Sequence, residues 1–206
     1  MAILNYAGLK TTIAGYLARS DLTVQIPDFI QLAEIRLRRD LRIRQMLKSS
    51  VTSTTGSDQT VFLPIDFLQL RDLFIVTNPI QPLEYMTPSV FNRNARVTES
   101  GKPVNYTIIA NEFKLAPVPD SDYTLRMLYY YSPELLTDSN PSNMFLSTCP
   151  DLLLYGALVE AEPYLMNDGR IQLWAGMYDR GVASLTSADD ASEHSAVPLT
   201  MKLTAR

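Results

Sequence analysis

Apolar side chains recur near the N-terminus at steps of three and four. Tyr6, Leu9, Ile13, Tyr16 and Leu17 share one side of a helix over residues 3–19, and Ser20 and Asp21 open a break. Pro27 stands where a first helical turn tolerates it, because its missing N–H would be unpaired there anyway. The spacing predicts a second helix from Ile26 to Leu47, with Ile26, Phe29, Ile30, Ala33, Leu37 and Leu41 on its buried face. Its other face carries Arg38, Arg39 and Arg42, with Ile35 and Met46 among them. Apolar residues on an outward face suggest cover by a neighbouring subunit.

The texture changes at Ser49. SSVTSTTGSDQT has no helical stripe and reads as an extended segment and turn. From Thr60 to Ser132 the pattern is that of strands: TVFLP, FLQLRDLFIV, PLEYM, VNYTII, EFKLAPV and YTLRMLYYY. Pro64, Pro79, Pro82, Pro117 and Pro119 lack a ladder donor and mark their ends and edges. Ala110 and Asn111 predict a tight hairpin, and a short helix is expected at Pro88–Ala95. Tyr123, Leu125, Met127, Tyr129 and Tyr131 alternate onto one face. Leu128 and Tyr130 make the other face partly apolar, so a sheet covered on both sides is expected.

Helix returns near Pro150, with Thr148 as the expected cap. LLLYGALVEA is apolar nearly all round, which marks the centre of a bundle, and Pro163 ends or kinks it. Residues 169–186 present Ile171, Trp174, Tyr178, Val182 and Leu185 as a last stripe, and after Ser187 the pattern dissolves. The expected class is α+β. Residues 1–48 and 141–187 form a four-helix lobe, and 49–140 an inserted antiparallel β sandwich or barrel-like lobe. Residues 188–206 form an extended C-terminal tail.

Composition mostly excludes. Hydrophobic residues make up 46% and charged residues 19% of the 206, an ordinary globular balance. A net charge of -4 argues against a dedicated nucleic-acid binder. The longest apolar run, Leu152–Val159, falls far short of the ~20 residues of a membrane span. MAILNYAGLK lacks the basic and apolar regions of a signal peptide. A protein made in a cytoplasm, without membrane contact, is expected.

Candidate chemistry is sparse. One cysteine and one histidine put the usual metal sets out of reach, and no cofactor is expected. Asp189, Asp190, Glu193 and His194 read as a solvated acidic tail, where His194 lacks the rigid setting of a catalytic base. Cys149 opens a helix, where a thiol pKa could fall, but it reads foremost as a small packed residue. Asp66, Asp120, Asp122, Asp138 and Asp151 occupy turn or cap contexts. There is no Walker A sequence and no GxGxxG. Two features stand out. Arg36, Arg38, Arg39, Arg42, Arg44 and Lys48 form a basic run suited to an acidic partner or passing DNA, or simply to solvent. Tyr129, Tyr130 and Tyr131 are interface candidates as well as sheet core.

IPDFIQLAEIRLRRDLRIRQM resembles the opening of head-to-tail adaptor proteins of tailed bacteriophages, including the tail tubular protein of short-tailed phages. LPIDFLQLRDLFI, PLEYMTPSVF and GKPVNYTIIANEFKLAPVPDSDYTLRMLYYYSPELL follow that family's order of strands. MFLSTCPDLLLYGALVEAEPYLMNDGRIQLWAGMYDRGV looks like its helical hairpin, so the likeness covers roughly residues 1–186. The resemblance implies a non-enzymatic subunit of the virion neck, assembled in the bacterial host cytoplasm. It implies a ring, expected to be a dodecamer, between the portal ring and the tail nozzle or fibres. The helical lobe would border a channel through which genomic DNA passes without sequence contact. The tail would reach the portal through Val197, Pro198, Leu199, Met201 and Leu203, whose alternation suits an added edge strand. Two rival classes stay open: a carbohydrate- or fibre-binding module built on the Tyr-rich insertion, and a cell-wall hydrolase.

Overall fold

The computed structural model describes residues 3–19, 21–93, 97–166 and 169–194. In chain order they form α1 (Tyr6–Leu17), α2 (Ile26–Asp40), a 3-10 turn (Arg44–Met46), β1 (Leu47–Ser53), β2 (Thr60–Phe62) and β3 (Phe67–Ile75). There follow β4 (Gln81–Pro82), β5 (Glu84–Tyr85), α3 (Pro88–Phe91), β6 (Asn105–Ile109), β7 (Glu112–Ala116) and β8 (Thr124–Tyr131). The chain closes with α4 (Met144–Thr148), α5 (Pro150–Glu160), α6 (Glu162–Leu165) and α7 (Ile171–His194). It is an α+β fold that divides into two compact units. One runs to Gln45 and resumes at Pro133; the other is Met46–Ser132.

In the helical unit α5 is central, packing on α1, α2 and α7. Leu152, Leu153, Leu154, Ala157 and Leu158 are buried, as an all-round apolar helix requires. Gly156 lets α2 approach: a Cβ there would stand 3.0 Å from the Ala33 Cβ. Asn5 caps α1 by accepting the Gly8 N–H at 2.8 Å, and Ala18 closes it in the left-handed conformation.

Two helix ends differ from the sequence reading. α2 stops at Asp40 instead of Leu47, because Leu41 is extended (φ -103°, ψ 137°). Arg42 then turns back and donates to Arg38 O at 2.7 Å and Leu41 O at 2.6 Å, supplying donors for carbonyls at the helix end. α7 runs to His194 rather than Thr186, so residues 188–194 are helical and not extended. Asp189 explains the extension: it accepts from both the backbone N–H and Nε of Arg44, each at 3.0 Å.

The β unit pairs two four-stranded sheets among the described residues, ordered β1-β8-β3-β4 and β2-β7-β6-β5. All pairs are antiparallel except β5–β6, which is parallel. Leu73, Ile75, Leu125, Met127 and Tyr129 of the first sheet join Val61, Tyr106, Phe113 and Leu115 of the second in one buried cluster. Phe67 meets Phe113 edge-on, centroids 6.3 Å apart, across the layers. This is sandwich packing with alternating inward residues. On the outer side of β8 Thr124 and Arg126 are exposed, while Leu128 and Tyr130 are half-buried. The hairpin turn falls at Ala110 and Asn111, with Ala110 at φ 54°, and the short helix ends at Phe91 instead of Ala95.

Candidate functional site

Of the three arginines singled out on α2, Arg39 is exposed while Arg38 and Arg42 are half-buried. Arg38 donates to Pro133 O, and burial lowers its pKa while Glu34 opposes that shift. Along the rest of the basic run, Arg36 pairs with Glu160 at 3.0 Å, Arg44 with Asp189 at 3.0 Å and Lys48 with Asp66 at 2.7 Å. The run therefore works largely inside each unit.

The tyrosine triplet divides likewise. Tyr129 is 1% exposed, and its hydroxyl donates to Asp66 at 2.8 Å. Burial and that carboxylate push its pKa up to about 12. As a core residue it is not available to a partner, which corrects its reading as an interface aromatic. Tyr130 and Tyr131 are half-buried, Tyr130 on the outer face and Tyr131 against the core with Lys48 near its ring. The tail residues Val197, Pro198, Leu199, Met201 and Leu203 lie outside the described residues.

The acids singled out also have structural partners. Asp120 accepts from the Tyr123 hydroxyl at 2.6 Å, Asp122 accepts the Gly56 N–H at 2.8 Å, and Asp138 pairs with Lys10 at 2.7 Å. Asp151 lies in the first turn of α5, where the helix dipole favours an acid. Cys149 is buried, and burial followed by Asp151 pushes its thiol up to about 12, the reverse of activation. It, not Thr148, is the N-cap of α5, and it makes no side-chain cap bond. Among the described residues no group of three His, Cys, Asp or Glu could hold a metal ion, and no helix is long and apolar enough to cross a membrane.

The sequence reading passed over the most deeply buried charge. Glu34 is 1% exposed on α2 and accepts the Leu136 N–H at 3.1 Å and the Asn143 amide at 2.5 Å. Asn143 in turn caps α4 through Leu146 N–H at 3.0 Å. Burial raises the Glu34 pKa against the downward pull of Leu136, Asn143 and Arg38. The signal was present: Glu34 falls beside Ala33 and Leu37 on the apolar stripe.

What the described surface does offer is apolar contact area, notably Val24, Leu32, Phe62, Ile65, Met166 and Leu173. The polar groups bind the units internally, and the fold class is α+β. The chain belongs to the SU10 adaptor protein family, which it matches over residues 4–202. A search of curated proteins gave no match. The family agrees with the resemblance to phage head-to-tail adaptors, and at that level the chain is a phage adaptor structural protein. The narrower likeness to the tail tubular protein is not confirmed by it.

Proposed function

We propose that this protein is a ring-forming subunit of the virion neck that joins the portal ring to the tail nozzle or fibres. The observation that carries the reading is the family match, which spans both units and reaches residue 202 in the tail segment. The helical unit supplies the ring and borders the DNA channel, with Arg39 among the exposed charges that passing DNA would meet. Val197, Pro198, Leu199, Met201 and Leu203 dock on the portal. Twelve copies are expected, a stoichiometry that rests on the resemblance. No reaction is part of this function: of the acids singled out in the sequence, Asp66, Asp120, Asp122 and Asp138 are engaged in hydrogen bonds and ion pairs. A glycan-binding face finds little support, because exposed Phe62 and Tyr85 stand on opposite edge strands of one sheet.

The test is to mix the protein with its cognate portal ring and image the product by electron microscopy, beside a chain truncated after His194. Cutting there spares α7 and its Asp189–Arg44 bond, which a cut at Ser187 would remove. Rings beneath the portal that vanish on truncation support the reading. Failure of both chains to associate refutes portal docking, and rings that survive truncation refute the role of the tail.

A further inference from the structure

α2 buries one stripe, Ile26, Ile30, Ala33 and Leu37. On the face roughly opposite stand Asp28, Leu32, Ile35 and Arg39, all exposed. Steps of four, three and four residues keep these four within about 60° of one another round the helix. Leu32 and Ile35, exposed by 46% and 38%, lie at the middle, with the acid one turn before them and the base one turn after. That spacing is the seam spacing of a coiled coil. Neither Asp28 nor Arg39 is in an ion pair among the described residues. The other charged side chains along α2 are engaged: Glu34 with Leu136 and Asn143, Arg36 with Glu160, Arg38 with Pro133 O and Asp40 with the Tyr178 hydroxyl.

The four positions share one midpoint, between Ala33 and Glu34. A second α2 laid antiparallel across that point sets Leu32 against Ile35 of the second copy and Asp28 against its Arg39. Each contact then occurs twice, which is the rule of a two-fold interface. A parallel pairing would instead face acid with acid and base with base, so charge selects the antiparallel orientation. Self-complementarity in both the apolar and the charged positions points to another copy of this chain as the occupant. We propose that α2 of one copy pairs antiparallel with α2 of a second about a two-fold axis, in protein not yet built into a virion. With two apolar layers the pair is weak and reversible. It closes on itself and therefore cannot propagate into a ring. Because it covers Arg39, it opens before the ring proposed above presents that side chain to DNA; the pairing itself does not depend on the ring.

The test uses the full chain. In sedimentation the wild type is expected to form dimers at high concentration, and added salt to weaken them. Asp28→Lys and Arg39→Glu each set like charges together at both ends of the pair and are expected to weaken dimers by about tenfold. The chain carrying both changes exchanges the two charges and is expected to recover the dimer, with far-UV circular dichroism reporting the fold of all three. Asp28→Cys and Arg39→Cys proteins are expected to form disulfides when mixed but not singly, because identical positions lie about 16 Å apart along the pair at 1.5 Å rise per residue. Cys149 does not compete because it is buried. A chain with both cysteines is expected to stop at the dimer. A wild type that stays monomeric overturns the pair, as does a doubly reversed chain of native circular dichroism that associates no better than the single changes. Cross-linking of Asp28→Cys with itself, or a ladder of higher species from the two-cysteine chain, overturns the two-fold arrangement. Portal rings that form normally while these tests fail overturn the pair and leave the ring reading standing.

Discussion

Replacing Glu34 by alanine should unfasten residues 134–143 from α2. The carboxylate is the acceptor for Leu136 N–H at 3.1 Å and for the Asn143 amide at 2.5 Å, both remote in sequence. An orphaned buried donor costs ~1–3 kcal/mol. Asn143 keeps a second acceptor in Glu134 O at 2.9 Å, so Leu136 bears most of the loss. Half-buried Arg38 also loses its counter-charge. Alanine recovers the desolvation cost that dominates the raised Glu34 pKa, which offsets part of the damage. The balance is a destabilisation of about 2–4 kcal/mol. Urea unfolding followed by Trp174 fluorescence is the assay, because this sole tryptophan is buried on α7 in the same unit. A loss below ~0.5 kcal/mol would refute the reasoning. Glu34→Gln, which keeps an acceptor, should cost about 1 kcal/mol at neutral pH. The pH dependence gives a second check. The folded carboxyl titrates above its ordinary 4.5, so its contribution is complete below that value and is lost as pH rises through the folded pKa. Glutamine has no such dependence, so acid should shift the comparison toward the wild type. A gap that grows with pH would contradict this sign.

Three further outcomes are expected. Gly181→Leu should destabilise the helical unit by ~1–3 kcal/mol in the same assay, because even a Cβ would stand 2.4 Å from Leu152 Cδ2. Arg44→Ala should speed amide hydrogen exchange in residues 186–194, since it removes a side-chain partner that anchors Asp189 beside the last turns of α7; unchanged exchange would discount that anchor. Cys149 should react with a thiol reagent at pH 8 only after unfolding, its thiol being buried and pushed up to about 12; prompt reaction of the folded protein would contradict this.

The large apolar residues made much of the fold legible. The stripe of α1, the all-round apolar α5 and the inward alternation of β8 each follow from one period and one buried face. The errors came where another force decides. The helical period continues through Arg42 and Met46, but the backbone had already turned at Leu41, with Arg42 supplying carbonyl partners at the end of α2. α7 outlasts its large apolar residues because Ala, Ser and Asp still sit in a helix when Asp189 is anchored from outside, and Ser192 bonds back to Ala188 O. β1 was read only as an extended segment because LKSSVTS pairs on one side with β8 and buries little. Of the candidate contact residues, alternation placed Tyr129 on the correct face, and that face proved to be core. The Glu34 knot joins residues more than a hundred positions apart, and no local pattern announces its partners.

The helical unit is made from both halves of the chain, while the β unit is one continuous stretch, Met46–Ser132. During synthesis the sandwich can therefore close while the bundle is still missing α5. Ala33 must wait for Gly156, roughly 120 residues later, which at about 5–20 residues per second is a delay of about 6–25 s. Throughout that interval Leu9, Ile13, Phe29 and Ile30, all buried in the finished protein, lack their main cover. The first apolar stripes to leave the ribosome are thus among the last to be sheltered. The period of greatest aggregation risk falls on α1 and α2 during translation.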